Sequence, residues 1–151
     1  YLYLGQHQRA IKDYDKAIQL DPGYAVAYNN RAVAKSRMGQ HEEALADLDK
    51  ALSLDGATAR TFANRAYSQL RLGRTEEAAR DCEEALKRDP RMGAALSTSG
   101  LASLKTGALG KGLKEIGRGL AANYSRETDR STGPILYGEP TFMLFTCPHR
   151  N

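Results

Sequence analysis

Residues 25–58, AVAYNNRAVAKSRMGQHEEALADLDKALSLDGAT, and residues 59–92, ARTFANRAYSQLRLGRTEEAARDCEEALKRDPRM, are two readings of one 34-residue unit. Set one above the other, they align without a gap: Arg31-Ala32 over Arg65-Ala66, Gly39 over Gly73, Glu42-Glu43 over Glu76-Glu77, Ala44 over Ala78, Ala51 over Ala85 and Leu52 over Leu86. The register extends both ways. Gly5, Gly39, Gly73 and Gly107 lie 34 residues apart, as do Ala10, Ala44, Ala78 and Gly112, then Ala17, Ala51, Ala85 and Gly119, then Ile18, Leu52, Leu86 and Leu120. A fixed period of this length marks an array of one supersecondary unit, whose function resides in a surface rather than in a catalytic motif.

Within a unit, small residues on either side of the glycine allow helices to approach closely, and the aliphatic position after them supplies the contact. Helices are predicted at about 25–38 and 41–54, and again at about 59–72 and 75–88, with Gly39 and Gly73 at the turns. Glu42-Glu43 and Glu76-Glu77 fall in the first turn of each second helix, where negative charge suits the helix dipole, and Thr75 reads as a helix start. Pro22 and Pro90 stand where a helix cannot continue. The last unit is glycine-rich: Gly112 and Gly119 keep the small-residue ladder, whereas Gly110 and Gly117 have no packing reason and mark its second helix as the least stable.

Tyr28, Arg31-Ala32, Gly39, Ala44, Leu48, Ala51 and Leu54-Asp55, echoed by Phe62, Arg65-Ala66, Gly73, Ala78, Cys82, Ala85 and Asp89-Pro90, resemble the tetratricopeptide repeat. Gly56 and Tyr124 stand where that family usually has proline. The resemblance implies an all-α, right-handed α-solenoid over residues 1–124. Its parts are a partial repeat at 1–24, repeats at 25–58 and 59–92, and a degenerate repeat at 93–124, followed by a linker and apolar tail at 125–151. Tyr1 begins inside a helix of the unit, so the sequence reads as a fragment whose upstream helix precedes it, and the compartment is cytoplasmic only by default.

Stacked helix pairs of this kind line their concave face with first helices. Helical spacing puts Asn30, Arg37, Arg60, Asn64, Tyr67, Arg71 and Lys105 there. Asparagine offers a donor and an acceptor, so Asn30 and Asn64 suit the backbone of an extended peptide, the use that peptide-binding family members make of such residues. The row Arg37, Arg71 and Lys105 adds positive charge and favours an acidic ligand. The branch of the family that holds a chaperone's terminal carboxylate uses a fuller set. Asn30 matches its middle asparagine and Arg60 stands in for its lysine, but Asn64 occupies an arginine position, so the full clamp is not reproduced. Starting one repeat later fails too, because Asn29, Val33, Ala94 and Thr98 replace the required residues. The partner expected is a protein or peptide.

Other classes fit less well. The net charge is +4, and 12 basic against seven acidic residues in 59–124 account for the excess. That makes a nucleic-acid-associated helical repeat the alternative reading, but it is thin for a phosphate-binding surface with Tyr67 as its one groove aromatic. The histidines His7, His41 and His149 are scattered over different repeats and the tail, and no phosphate-binding loop or catalytic set assembles, so neither enzyme activity nor a cofactor or metal is expected. Cys82 falls on an apolar helix face as a small hydrophobe. Phe142 to Phe145 form an apolar run between Pro140 and Pro148, expected in extended form to cap the end of the array or pack into its groove, the alternative being an exposed partner-binding segment.

Overall fold

The computed structural model describes residues 2–128, and between its turns the described chain is helical throughout. The helices are α1 (Leu2–Leu20), α2 (Ala25–Arg37), α3 (His41–Ser53), α4 (Ala59–Arg71), α5 (Thr75–Arg88), α6 (Gly93–Lys105) and α7 (Leu109–Thr128). The apolar tail at 134–148 lies outside the described residues. Helix α7 continues four residues beyond Tyr124, over Ser125–Thr128, where polar composition suggests a linker.

The glycine ladder sets the turns by a defined chemistry. Gly39, Gly73 and Gly107 have φ of 82°, 81° and 85°, the left-handed region that costs a side chain energy and glycine none. Each sits just past a helix end and closes the same pair of bonds. In the first, Gly39 N–H donates to Ser36 O and Gln40 N–H to Lys35 O; in the second, Gly73 donates to Leu70 O and Arg74 to Gln69 O; in the third, Gly107 donates to Leu104 O and Ala108 to Ser103 O. Carbonyls orphaned at the end of each first helix are thereby satisfied, and the next helix starts at a fixed angle. Asp55 takes the same conformation at φ 70° after α3, with Gly56 N–H on Ala51 O at 2.9 Å. Gly5 departs from its ladder. It lies inside α1, which runs from Leu2 to Leu20 without a turn there.

Each helix packs on its neighbours in the sequence. In addition, α4 touches both α2 and α6, while α3, α5 and α7 make no contact with one another. First helices are therefore the inner, crowded row and second helices the outer, splayed row, as in a curved solenoid. The core between them is built largely from alanine: Ala32, Ala44, Ala66, Ala78, Ala85 and Ala95 are completely buried, with Leu48 and Cys82 the large side chains among them. Burial pushes the Cys82 thiol up to about 12, an unreactive core group.

Small side chains bury little apolar area apiece, and charge supplies a second tie. Arg31 of α2 bonds Asp47 of α3 through Nε at 2.8 Å and Asp15 of α1 through Nη1 at 2.7 Å. One unit on, Arg65 of α4 bonds Asp81 of α5 at 2.7 Å and Asp49 of α3 at 2.8 Å. A single guanidinium thus joins three consecutive helices, and its planar fork suits a carboxylate on each side. Hydrogen bonding to Asp47 and Asp81 respectively raises the already high pKa of both arginines.

Candidate functional site

The inner row places its polar residues along one face of α4. Arg60, Asn64, Tyr67 and Arg71 recur at helical spacing, and the helix rise separates Arg60 from Arg71 by about 16 Å. Thr58 caps the start of this helix, its side chain accepting from Thr61 N–H at 3.2 Å. Basic residues therefore stand at both ends of the face, with Asn64 and Tyr67 between them.

Asn30 and Asn64 are half-buried and are not independent. Asn64 Nδ2 donates to Asn29 Oδ1 at 3.1 Å, and Asn29 Nδ2 donates to Asn30 Oδ1 at 3.3 Å. Asn29 is itself only 8% exposed, so it acts as the buried link that holds the outer two amides in place. Asn64 Oδ1 and Asn30 Nδ2 are left with bonding capacity, one acceptor and one donor. Val26 and Leu101 of the first helices are about half exposed, whereas Ala63 and Thr98 are buried.

The basic row is less uniform than its spacing implies. Arg37 and Arg71 are exposed at the C-terminal ends of α2 and α4. Lys105 Nζ donates to Leu70 O at 3.3 Å, so it caps α4 from the neighbouring helix. Tyr67 is half-buried and meets the ring of His41 edge-on, with centroids 6.1 Å apart. Ser68 Oγ donates to Ser36 Oγ at 3.3 Å, and Ser36 Oγ in turn lies 3.2 Å from His41 Nδ1. Burial, and then the charge of Arg71, hold the His41 imidazole below its usual pKa; burial and Arg37 do the same to His7.

His41 at the groove edge was not selected from the sequence, although the signal was present. His7 and His41 are 34 apart, as are the Arg37 and Arg71 that face them. Asn29 as a linking residue carries no such mark, since Ala63 replaces it one unit later. Among the described residues no three His, Cys, Asp or Glu side chains are grouped to hold a metal ion, and no helix is long and apolar enough to cross a membrane.

A solenoid of helix pairs with polar residues on its inner row defines a class of helical-repeat proteins. Family models described as TPR repeat and tetratricopeptide repeat match residues 1–39, 25–56 and 59–92, and the chain belongs to the tetratricopeptide repeat family. No curated protein matches it in sequence. Among solved structures it is similar to the second TPR domain of the human RPAP3 protein in complex with the HSP70 peptide SGPTIEEVD. That likeness has 32% identity and a TM-score of 0.62, over 66% of this chain and 82% of that one. The first TPR of Spaghetti (RPAP3), bound to the HSP90 peptide SRMEEVD, is 27% identical with a TM-score of 0.66, over 71% and 85%. MamA shares the fold at 21% identity and a TM-score of 0.69, over 84% and 74%.

Proposed function

We propose that the chain is a protein-interaction scaffold that holds an extended, acidic segment of a partner protein along its inner face. One observation carries the reading: a linked set of amides, Asn29, Asn30 and Asn64, flanked at both ends of the face by arginines. The amides offer a donor and an acceptor at fixed positions, which suits a peptide backbone of any sequence, while Arg37, Arg60, Arg71 and the charge of Lys105 favour carboxylates. The RPAP3 domains support this reading, since the peptides bound to them end in Glu-Glu-Val-Asp. With Asn64 at the arginine position of the carboxylate-holding branch, affinity here rests on the peptide's side-chain acids more than on its terminus. No observation favours the nucleic-acid alternative: Tyr67 is engaged with His41 rather than free to stack on a base.

The test is a calorimetric titration with SGPTIEEVD and with a counterpart in which each acid is replaced by lysine. Asn30→Ala with Asn64→Ala should weaken the acidic peptide about tenfold, equivalent to 1.4 kcal/mol, while far-UV circular dichroism stays unchanged. Equal affinity for the two peptides, or for wild type and double variant, would overturn the reading.

A further inference from the structure

The outer row opens a cleft of about 620 Å³ between α3 and α5, with α4 as its floor. Glu42 and Asp49 line it from α3, Gln69 from α4, and Glu77 and Asp81 from α5. Gln69 is only 7% exposed, and its Oε1 is buried without any hydrogen-bond partner. A buried carbonyl oxygen left unpaired is costly and rare, and it points to a missing donor.

The preceding unit shows which donor is missing. Positions 35, 43 and 47 correspond to 69, 77 and 81 at the 34-residue period. There, Lys35 Nζ lies 2.9 Å from Asp47 Oδ2 and 3.7 Å from Glu43 Oε2. Asp47 Oδ2 thus accepts from both Lys35 and Arg31 Nε, whereas its counterpart Asp81 Oδ2 accepts only from Arg65 Nε. Unit 59–92 keeps both acids, Glu77 and Asp81, and puts a neutral amide where the lysine stood. Glu77 is exposed and has no ion pair among the described residues. Three arginines also line the cleft and do not fill the gap: Arg65 is forked on Asp81 and reaches Asp49, Arg74 is engaged with Glu42 at 3.0 Å, and Arg80 leaves the Gln69 oxygen unpartnered. In the last unit a lysine returns, with Lys111 at the Glu77 position 4.0 Å from Glu115.

We propose that this outer cleft is a second binding site that takes a lysine side chain of a protein partner. Its ammonium would stand where Lys35 Nζ stands one unit earlier, donating to Gln69 Oε1, Asp81 and Glu77. Three donors on a compact ammonium match three oxygens at the cleft floor and wall. The two faces of the solenoid then have opposite preferences, acids inside and a lysine outside, and both can be occupied at once.

The probe is the blocked peptide acetyl-Gly-Lys-Lys-Gly-amide, followed by amide NMR. It should shift the Gln69 side-chain amide and backbone signals of α4 and α5, and its Nε-acetylated form should not. Gln69→Lys supplies the cation internally, so it should raise the melting temperature and abolish the probe's shifts. Glu77→Gln should weaken the probe about fivefold, the loss of one exposed charge contact, without altering the melt. Glu83→Gln, the same charge change at an exposed α5 position outside the cleft, should leave the probe unaffected. Asn30→Ala with Asn64→Ala should also bind it normally, which separates this site from the groove. Undiminished binding by Gln69→Lys, or equal losses in Glu77→Gln and Glu83→Gln, would overturn the proposal.

Discussion

Leu45 and Leu113 are the same residue at the same place in the unit, yet Leu45 is 7% exposed and Leu113 is 64% exposed. Among the described residues α3 is packed by α4, the first helix of the following repeat, as well as by α2, whereas α7 packs on α6 alone. In a linear array, burial is assigned by position in the stack as much as by the residue. The same two regions differ in how they are held. Units 25–58 and 59–92 are tied by Arg31 and Arg65, each spanning three helices, whereas the last unit has Ser99 at that position, bonded to Glu115 at 2.9 Å. Its α6–α7 contact is closer in compensation. A Cβ added at Gly112 would lie 2.8 Å from Gly100 O, so glycine replaces alanine where the two backbones touch.

The sharpest way to break the comparison is to remove a guanidinium. Arg65→Ala leaves Asp81, 5% exposed, as an uncompensated carboxylate, a change that costs about 3 kcal/mol or more. Denaturant unfolding of this variant should show the largest loss of any single substitution considered. Arg65→Lys should recover only part, since an ammonium cannot form the fork. A loss below about 1 kcal/mol, the range of an exposed ion pair, would mean that the serine of the last unit is an equal substitute and that the arginine tie is incidental.

The turns were legible to within a residue because glycine at positive φ leaves little alternative: helices expected at about 41–54 and 59–72 occupy His41–Ser53 and Ala59–Arg71. Gly5 shares the ladder spacing yet lies inside α1, so a glycine's place in the period does not by itself make a turn. The arginine tie was half visible. Arg31-Ala32 and Arg65-Ala66 stood out as repeated letters, but that each reaches a carboxylate 16 residues away in both directions depends on how three helices stack. In the groove, Asn64, Asn29 and Asn30 are joined by hydrogen bonds that spacing does not show, and Lys105, placed by spacing in a basic row, has its ammonium on the Leu70 carbonyl at the end of α4. Gln69 is the clearest case. Its replacement of Lys35 is plain in the letters, while the orphaned oxygen that gives the replacement meaning is a matter of burial.

A second, smaller test separates two glycines of α7 that composition alone treats alike. Nothing lies within 4 Å of a Cβ added at Gly117, so Gly117→Ala should stabilise the last unit by about 0.5–1 kcal/mol through helix propensity. At Gly119 the same carbon would meet Ser97 Oγ at 2.5 Å and Gly93 O at 3.0 Å, so Gly119→Ala should destabilise despite the identical propensity gain. Opposite signs in paired thermal melts confirm that the close α6–α7 approach is what the glycines serve. Equal gains would show that the helices can move apart freely.

The smallest expected effect is a dependence on pH confined to the early units, because the position of His7 and His41 is Thr75 and then Leu109 further along the array. Burial is the main reason that His41 sits below 6.5 in the folded chain, with Arg71 adding to it. The sign follows from linkage. Above pH 6.5 the imidazole is neutral in both states and contributes nothing; as pH falls below 6.5 the unfolded chain takes up the proton first, and stability declines until the folded pKa is passed. Unfolding measured at pH 7.5 and 5.5 should therefore show a loss at the lower value that shrinks in His41→Gln and shrinks further when His7→Gln is added. Proton NMR titration should place both imidazoles below the unfolded value, and Arg71→Ala should move His41 upward while leaving His7 in place. Titration of both His41 and His7 at the unfolded value would remove the histidine contribution altogether and leave the two regions of the array alike in their response to acid.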